Sequence, residues 1–93
     1  MSDLSEQFVS EARDLIALAT DELIAIERDG VAAERIDRLL RAFHTLKGSA
    51  RGIGLMRLAA ACERAEDEAS EAALMDLRSI LDETMAALDA PLQ

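Results

Sequence analysis

His44 is the only histidine of the 93-residue chain and Lys47 its only lysine, and both stand in the run His44-Thr45-Leu46-Lys47-Gly48-Ser49-Ala50. A neutral imidazole is a competent nucleophile near pH 7, and a hydrogen bond to one ring nitrogen fixes which of the two offers its lone pair. A carboxylate is therefore the partner to look for. At about 3.6 residues per turn, Lys47 and Gly48 lie one helical turn from His44 and Arg51 lies two turns away, so an imidazole and two cations share one face. Gly48 within a helix costs roughly 1 kcal/mol relative to Ala, a loss that something must offset. A position without a side chain, one turn from the imidazole, lets another protein come close to the ring. The run reads as a docking surface around a nucleophile.

Charge is distributed to match. The chain has a formal net charge of −9, yet from Arg35 to Arg57 six basic residues (Arg35, Arg38, Arg41, Lys47, Arg51, Arg57) face one acid, Asp37. That local balance of +5 leaves −14 for the rest. A basic island centred on His44 suits an acidic partner or a phosphoryl group and speeds encounter. The same pattern also fits a solvated face paired with Glu63, Glu66, Asp67 and Glu68 of the following segment. An acidic chain argues against nucleic acid as a partner, which calls for a basic footprint.

Other chemistries fit poorly. One His and one Cys at distant positions give no credible transition-metal site. The glycines do not form a phosphate-cradling loop, because Lys47 precedes Gly48 instead of following a glycine run. No ATP site and no cofactor are expected, so a phosphoryl group on this chain must come from another protein.

The elements that position the run are legible as helices. Phe8, Ala12, Leu15, Ile16, Ala19, Leu23 and Ile26 trace the apolar stripe of a first helix, opened by a capping-box spacing at Asp3 and Glu6 and stopped by Gly30. A second helix is predicted from about Ala32 to Arg51, with Ile36, Leu39, Leu40, Phe43, Leu46 and Ala50 inward and His44 at the stripe's edge, partly exposed. Gly52 and Gly54 then break it. A third helix spans about 55–69 with Leu55, Leu58, Ala59, Cys62, Ala65 and Ala69 on its apolar side. Ser70 is placed to cap a fourth, with the stripe Leu74, Leu77, Leu81, Thr84 and Leu88 and a close at Pro91. The expected fold is all-α, an antiparallel up-down four-helix bundle.

Residues 1–93 are read as a single domain with a modest core, served by only two aromatics, Phe8 and Phe43. The lone Cys62 cannot form an internal disulfide and reads as a buried structural thiol, which suits a reducing cytoplasm. Neither a signal-length apolar stretch nor a run of about 18 apolar residues is present, so no membrane association is expected. The chain is expected to be a cytoplasmic monomer.

The histidine, the lysine at +3, the glycine at +4, small residues at +5 and +6 and Gly54 at +10 together resemble the phosphoacceptor motif of histidine-containing phosphotransfer (HPt) domains. The stretch Phe8-Val9-Ser10-Glu11-Ala12-Arg13 and the motif are similar to the phosphoacceptor domain of chemotaxis-type histidine kinases. This resemblance implies that His44 carries a phosphoryl group to or from a response-regulator receiver aspartate, supplied within a two-component system by such a receiver or a histidine kinase, with any Mg²⁺ held by the partner. It places at Glu66, counting without gaps, the glutamate that takes the Nδ1 proton and leaves Nε2 to be phosphorylated; Glu63 lies one turn earlier on the same face. Lys47 would partly neutralise the phosphoryl oxygens, while Gly48, Arg41 and Arg51 would form the docking face. The chain shows four helices where the chemotaxis-kinase domain has a fifth and a long linker, which favours a free-standing carrier. The rivals are an excised phosphoacceptor domain of a chemotaxis-type kinase and a non-catalytic helical interaction domain.

Overall fold

The computed structural model describes residues 3–70 and 74–89, with side chains over 6–70 and 78–88. Its elements are four helices: α1 (Asp3–Asp29), α2 (Ala33–Gly52), α3 (Met56–Ser70) and α4 (Leu74–Asp89). α1 packs on α2, α2 on α3, α3 on α4, and α4 back on α1, so the helices close a square with the core at its centre. The two described connections, residues 30–32 and 53–55, are too short to do anything but reverse the chain, which makes these neighbours antiparallel. At a rise of about 1.5 Å per residue, the 27 residues of α1 account for most of the 43 Å long axis of the molecule.

The apolar stripes lie where their periodicity puts them. Phe8, Ala12, Ile16, Ala19, Leu23 and Ile26 of α1 are buried against Leu39, Ala42, Phe43, Leu46 and Ala50 of α2. From α3 come Leu58, Ala59, Cys62, Ala65 and Ala69, and from α4 Ile80, Leu81, Ala87 and Leu88. Leu15, Ile36, Leu40 and Leu55 are only half-buried, packed on the margin of the core. Thr84, fully enclosed, satisfies its hydroxyl by donating to the carbonyl of Ile80 at 2.7 Å, as a helical Thr can. Burial pushes the Cys62 thiol up to about 12, with the nearby Glu66 carboxylate acting in the same direction, so it stays protonated and inert.

Two glycines end helices by their backbone. Gly30 adopts a left-handed φ of 101° and donates to the carbonyl of Ile26 at 2.8 Å. Gly54, at φ 82°, donates to Arg51 at 3.2 Å while Leu55 donates to Ala50 at 2.9 Å, the pair of bonds that defines a Schellman cap. Gly54 therefore stops α2, and Gly52 is its last helical residue instead of a breaker. Ser70 is helical and belongs to α3, and residues 71–73, between it and the described start of α4, are not among the described residues, so its role as a cap falls outside them. The capping role of Asp3, the inward placement of Leu74 and Leu77, and the stop at Pro91 fall outside the described side chains.

Ion pairs tie the helices at their rims. Glu22 of α1 takes Arg35 at 3.3 Å and Arg38 at 2.7 Å from α2. Arg64 of α3 meets Glu83 of α4, and Arg78 of α4 meets Glu27 of α1. The Arg38 hydrogen bond, aided by Arg35, holds the Glu22 carboxyl below its ordinary 4.5, and the Arg64 hydrogen bond does the same for Glu83. A carboxyl with a lowered folded pKa binds protons more readily when unfolded, so its stabilisation is complete above about pH 4.5 and is lost as pH falls through the lower folded value. The urea midpoint is therefore expected to fall between pH 5 and pH 3, and to fall less in a Glu22→Gln/Glu83→Gln variant. Equal drops in both proteins would mean that these pairs do not contribute.

Candidate functional site

His44 stands in the fourth turn of α2, between the buried Phe43 and Leu46 that fix the helix against the core. Its backbone is thus anchored while its side chain, 75% exposed, projects from the bundle. Glu66 of α3 comes up beside it, with Oε2 at 3.4 Å from Nδ1. That is long for a formed hydrogen bond and short enough for the carboxylate to act on the ring by charge. With Nδ1 turned to α3, Nε2 is on the outer side of the imidazole.

The other oxygen of Glu66 is spoken for differently. Oε1 lies 2.6 Å from the Lys47 ammonium, in an ion pair whose two side chains are only 16% and 19% exposed. Oε1 is shielded from solvent and has no aligned hydrogen-bond donor, so the contact holds by charge alone. Glu66 is clamped from one side by Lys47 and faces His44 with the other. Residues one turn apart on α2 and a single carboxylate on α3 make one connected unit.

The remaining candidates flank it. Arg51 pairs with Glu63 of α3 at 2.7 Å, with both side chains about half exposed, and Arg41 pairs with Asp37 of its own helix at 3.0 Å, fully in solvent. Glu63, the alternative carboxylate for the imidazole, is thereby assigned to Arg51. Exposed pairs of this kind contribute about 0–1 kcal/mol and exchange partners readily. The basic island thus divides: Lys47 and Arg51 turn to α3, Arg35 and Arg38 to Glu22 of α1, and Arg41 to its own helix.

Gly48 is exposed, and a Cβ built there would meet nothing within 4 Å. Internal packing does not require a glycine at this position. The free space lies outside the molecule, one turn from the imidazole. No Asp, Glu, His or Cys group suited to hold a metal ion occurs among the described residues, and no helix among them is long and apolar enough to cross a membrane.

What the sequence did not reveal is the double use of Glu66. The sequence allowed two readings of Lys47, a cation aimed at a phosphoryl group and one paired with the acids of the following segment; the approach of α3 shows its ammonium turned to Glu66. A hint was present in Leu46 and Ala50, which bracket Lys47 on the buried side.

Comparison with known proteins bears on the family of the chain. A segment of 51 residues, 55% of the chain, is 35% identical to the chemotaxis protein CheA of Borreliella burgdorferi, of which it spans only 6%. No solved structure matches the chain. The Hpt domain family model matches residues 3–91, and the chain therefore belongs to the Hpt domain family, whose members carry out histidine phosphotransfer in two-component-type signalling.

Proposed function

We propose that this domain accepts a phosphoryl group on Nε2 of His44 and exchanges it with the aspartate of a response-regulator receiver domain. The observation that carries this reading is the imidazole itself: 75% exposed, backed on Nδ1 by Glu66 at 3.4 Å, and set one turn from a glycine that leaves the approach open. In the transfer, the Nε2 lone pair attacks the phosphorus of an aspartyl phosphate in line. The Nε2–P bond forms, the P–O bond breaks, and its electrons leave with the receiver's carboxylate. The proton stays on Nδ1, and the positive charge that the ring acquires is met by Glu66. Lys47 keeps Glu66 in place and supplies a cation near the phosphoryl oxygens. Mg²⁺ belongs to the receiver, and the domain has no kinase activity of its own. The test is transfer of ³²P to the purified protein from a phosphorylated receiver or a histidine kinase with ATP; ATP alone should leave it unlabelled.

The likeness to a chemotaxis protein favours a second context for the same chemistry, in which the phosphoryl group arrives from the catalytic domain of a chemotaxis-type kinase. Saturable labelling by such a catalytic domain supplied in trans would select it over a relay fed only by receivers.

Glu66→Ala is expected to slow labelling by between about tenfold and a hundredfold, by analogy with the loss seen when a carboxylate that orients a metal-bound histidine is removed, without abolishing it. Glu66→Gln, which retains an acceptor but not the charge, should lie between. ¹⁵N NMR of the imidazole checks the cause: the Nδ1–H tautomer should dominate in the wild type and lose ground in Glu66→Ala. An unchanged tautomer ratio would mean that Glu66 does not act on the ring.

A further inference from the structure

The two flanks of α2 are unequal. On the α3 side, Lys47 and Arg51 are drawn into ion pairs around the imidazole. The α1 side is tied by Glu22 to Arg35 and Arg38 at one end, and toward the other end the helices part over a groove of about 340 Å³. It is lined by Gln7, Phe8 and Glu11 of α1, Ser49 of α2 and Ile53 of the following turn. Phe8 is buried and makes an apolar floor, whereas Ile53, between two glycines, is 44% exposed and forms a lip. Ser49 lies five residues beyond His44, about 7.5 Å along the helix axis and on the other flank of α2, so a domain docked on the imidazole is wide enough to reach the groove as well.

Ile53 by itself would need no explanation, since single exposed apolar residues are ordinary. Its place is what matters: beside a groove, at the margin of the docking face, with no internal role that demands a branched side chain. Among the described residues, Glu11 is the one charged residue on the groove's lining, and no cation stands there with it. An occupant of the groove must therefore present a base to α1.

We infer that the groove between α1 and α2 is a selectivity pocket for the receiver domain, and that it takes one long side chain of that domain with an apolar stem and a cationic tip, a lysine or arginine. The stem lies on Phe8 and Ile53 and the tip reaches the Glu11 carboxylate, as amphipathic side chains commonly do. The receiver's acidic phosphorylation pocket meanwhile faces the cations of α2. This inference rests on the phosphotransfer reading of His44. It places partner choice on the flank of α2 that takes no part in the chemistry, so the preference for one receiver can change without disturbing His44, Lys47 or Glu66.

The test uses the full chain and a receiver domain that accepts label from the phosphorylated wild-type protein. Transfer rate is measured against receiver concentration for wild type, Glu11→Lys, Ile53→Asp and the control Asp82→Lys, an equal charge change on the exposed face of α4, with helicity checked by circular dichroism. Glu11→Lys and Ile53→Asp are each expected to raise the half-saturating receiver concentration at least fivefold, and by more than they lower the plateau rate; the control should match wild type. Half-saturation within twofold of wild type for both variants overturns the pocket. A shift with Ile53→Asp and none with Glu11→Lys overturns the cationic occupant. If wild type itself passes label to no receiver, the phosphotransfer reading fails and the inference with it, an outcome visible before any variant is compared.

Discussion

A protein with His44 replaced by glutamine is expected to fold as the wild type does and to take no acid-labile phosphoryl label at all. The side chain is 75% exposed and makes a single long contact, so its loss should change stability by no more than about 0.5 kcal/mol. The chemical loss is total because the chain has no second histidine to substitute. Glutamine retains size and polarity but has no ring nitrogen with an available lone pair. Circular dichroism and ³²P labelling on the same preparation separate the two effects. Undiminished acid-labile labelling of His44→Gln would remove this residue from the reaction.

The second large effect is expected at Gly48. Replacing it with glutamine should leave the domain equally or more stable while reducing transfer to a receiver at least tenfold. A Cβ there meets nothing within 4 Å, so the new side chain clashes with no part of this molecule. Removing a glycine from the helix should return about 0.5 kcal/mol, equivalent to a rise in Tm of roughly 2–4 °C for a domain of this size. The same side chain stands where a partner must approach the imidazole, and steric exclusion is the only effect left to it. A more stable protein that transfers poorly is the signature of a residue kept for docking. Intact transfer by Gly48→Gln would show that the approach lies elsewhere.

The fold was largely readable because its information is periodic. Apolar residues at helical spacing marked α1, the core side of α2 and most of α3, and the burial of Phe8, Ile16, Leu39, Phe43, Leu58 and Cys62 follows from that spacing alone. Helix ends were less readable. Gly52 and Gly54 look alike as letters, but only Gly54 has the left-handed φ that a Schellman cap requires, and that cap depends on hydrogen bonds to the carbonyls of Arg51 and Ala50.

The site was readable in part. His44 at the edge of its stripe, and the open space at Gly48, follow from helical geometry and from the cost of a glycine there. Glu66 came from likeness to a family; no spacing rule links residue 44 to residue 66 on another helix. The inward turn of Lys47, the pairing of Arg51 with Glu63 and the groove beside Ser49 depend on how α1 and α3 meet α2. Contacts across helices are set by packing, which a periodic pattern specifies only to the nearest face.

The most direct measurement is the position of the phosphoryl group on the wild-type protein after labelling by a receiver or kinase, read by ³¹P–¹⁵N NMR on uniformly ¹⁵N-labelled material. A single acid-labile phosphoramidate on Nε2 of His44 is the predicted result. Phosphate on Nδ1, or an acid-stable ester on the neighbouring Thr45 or Ser49, would contradict it.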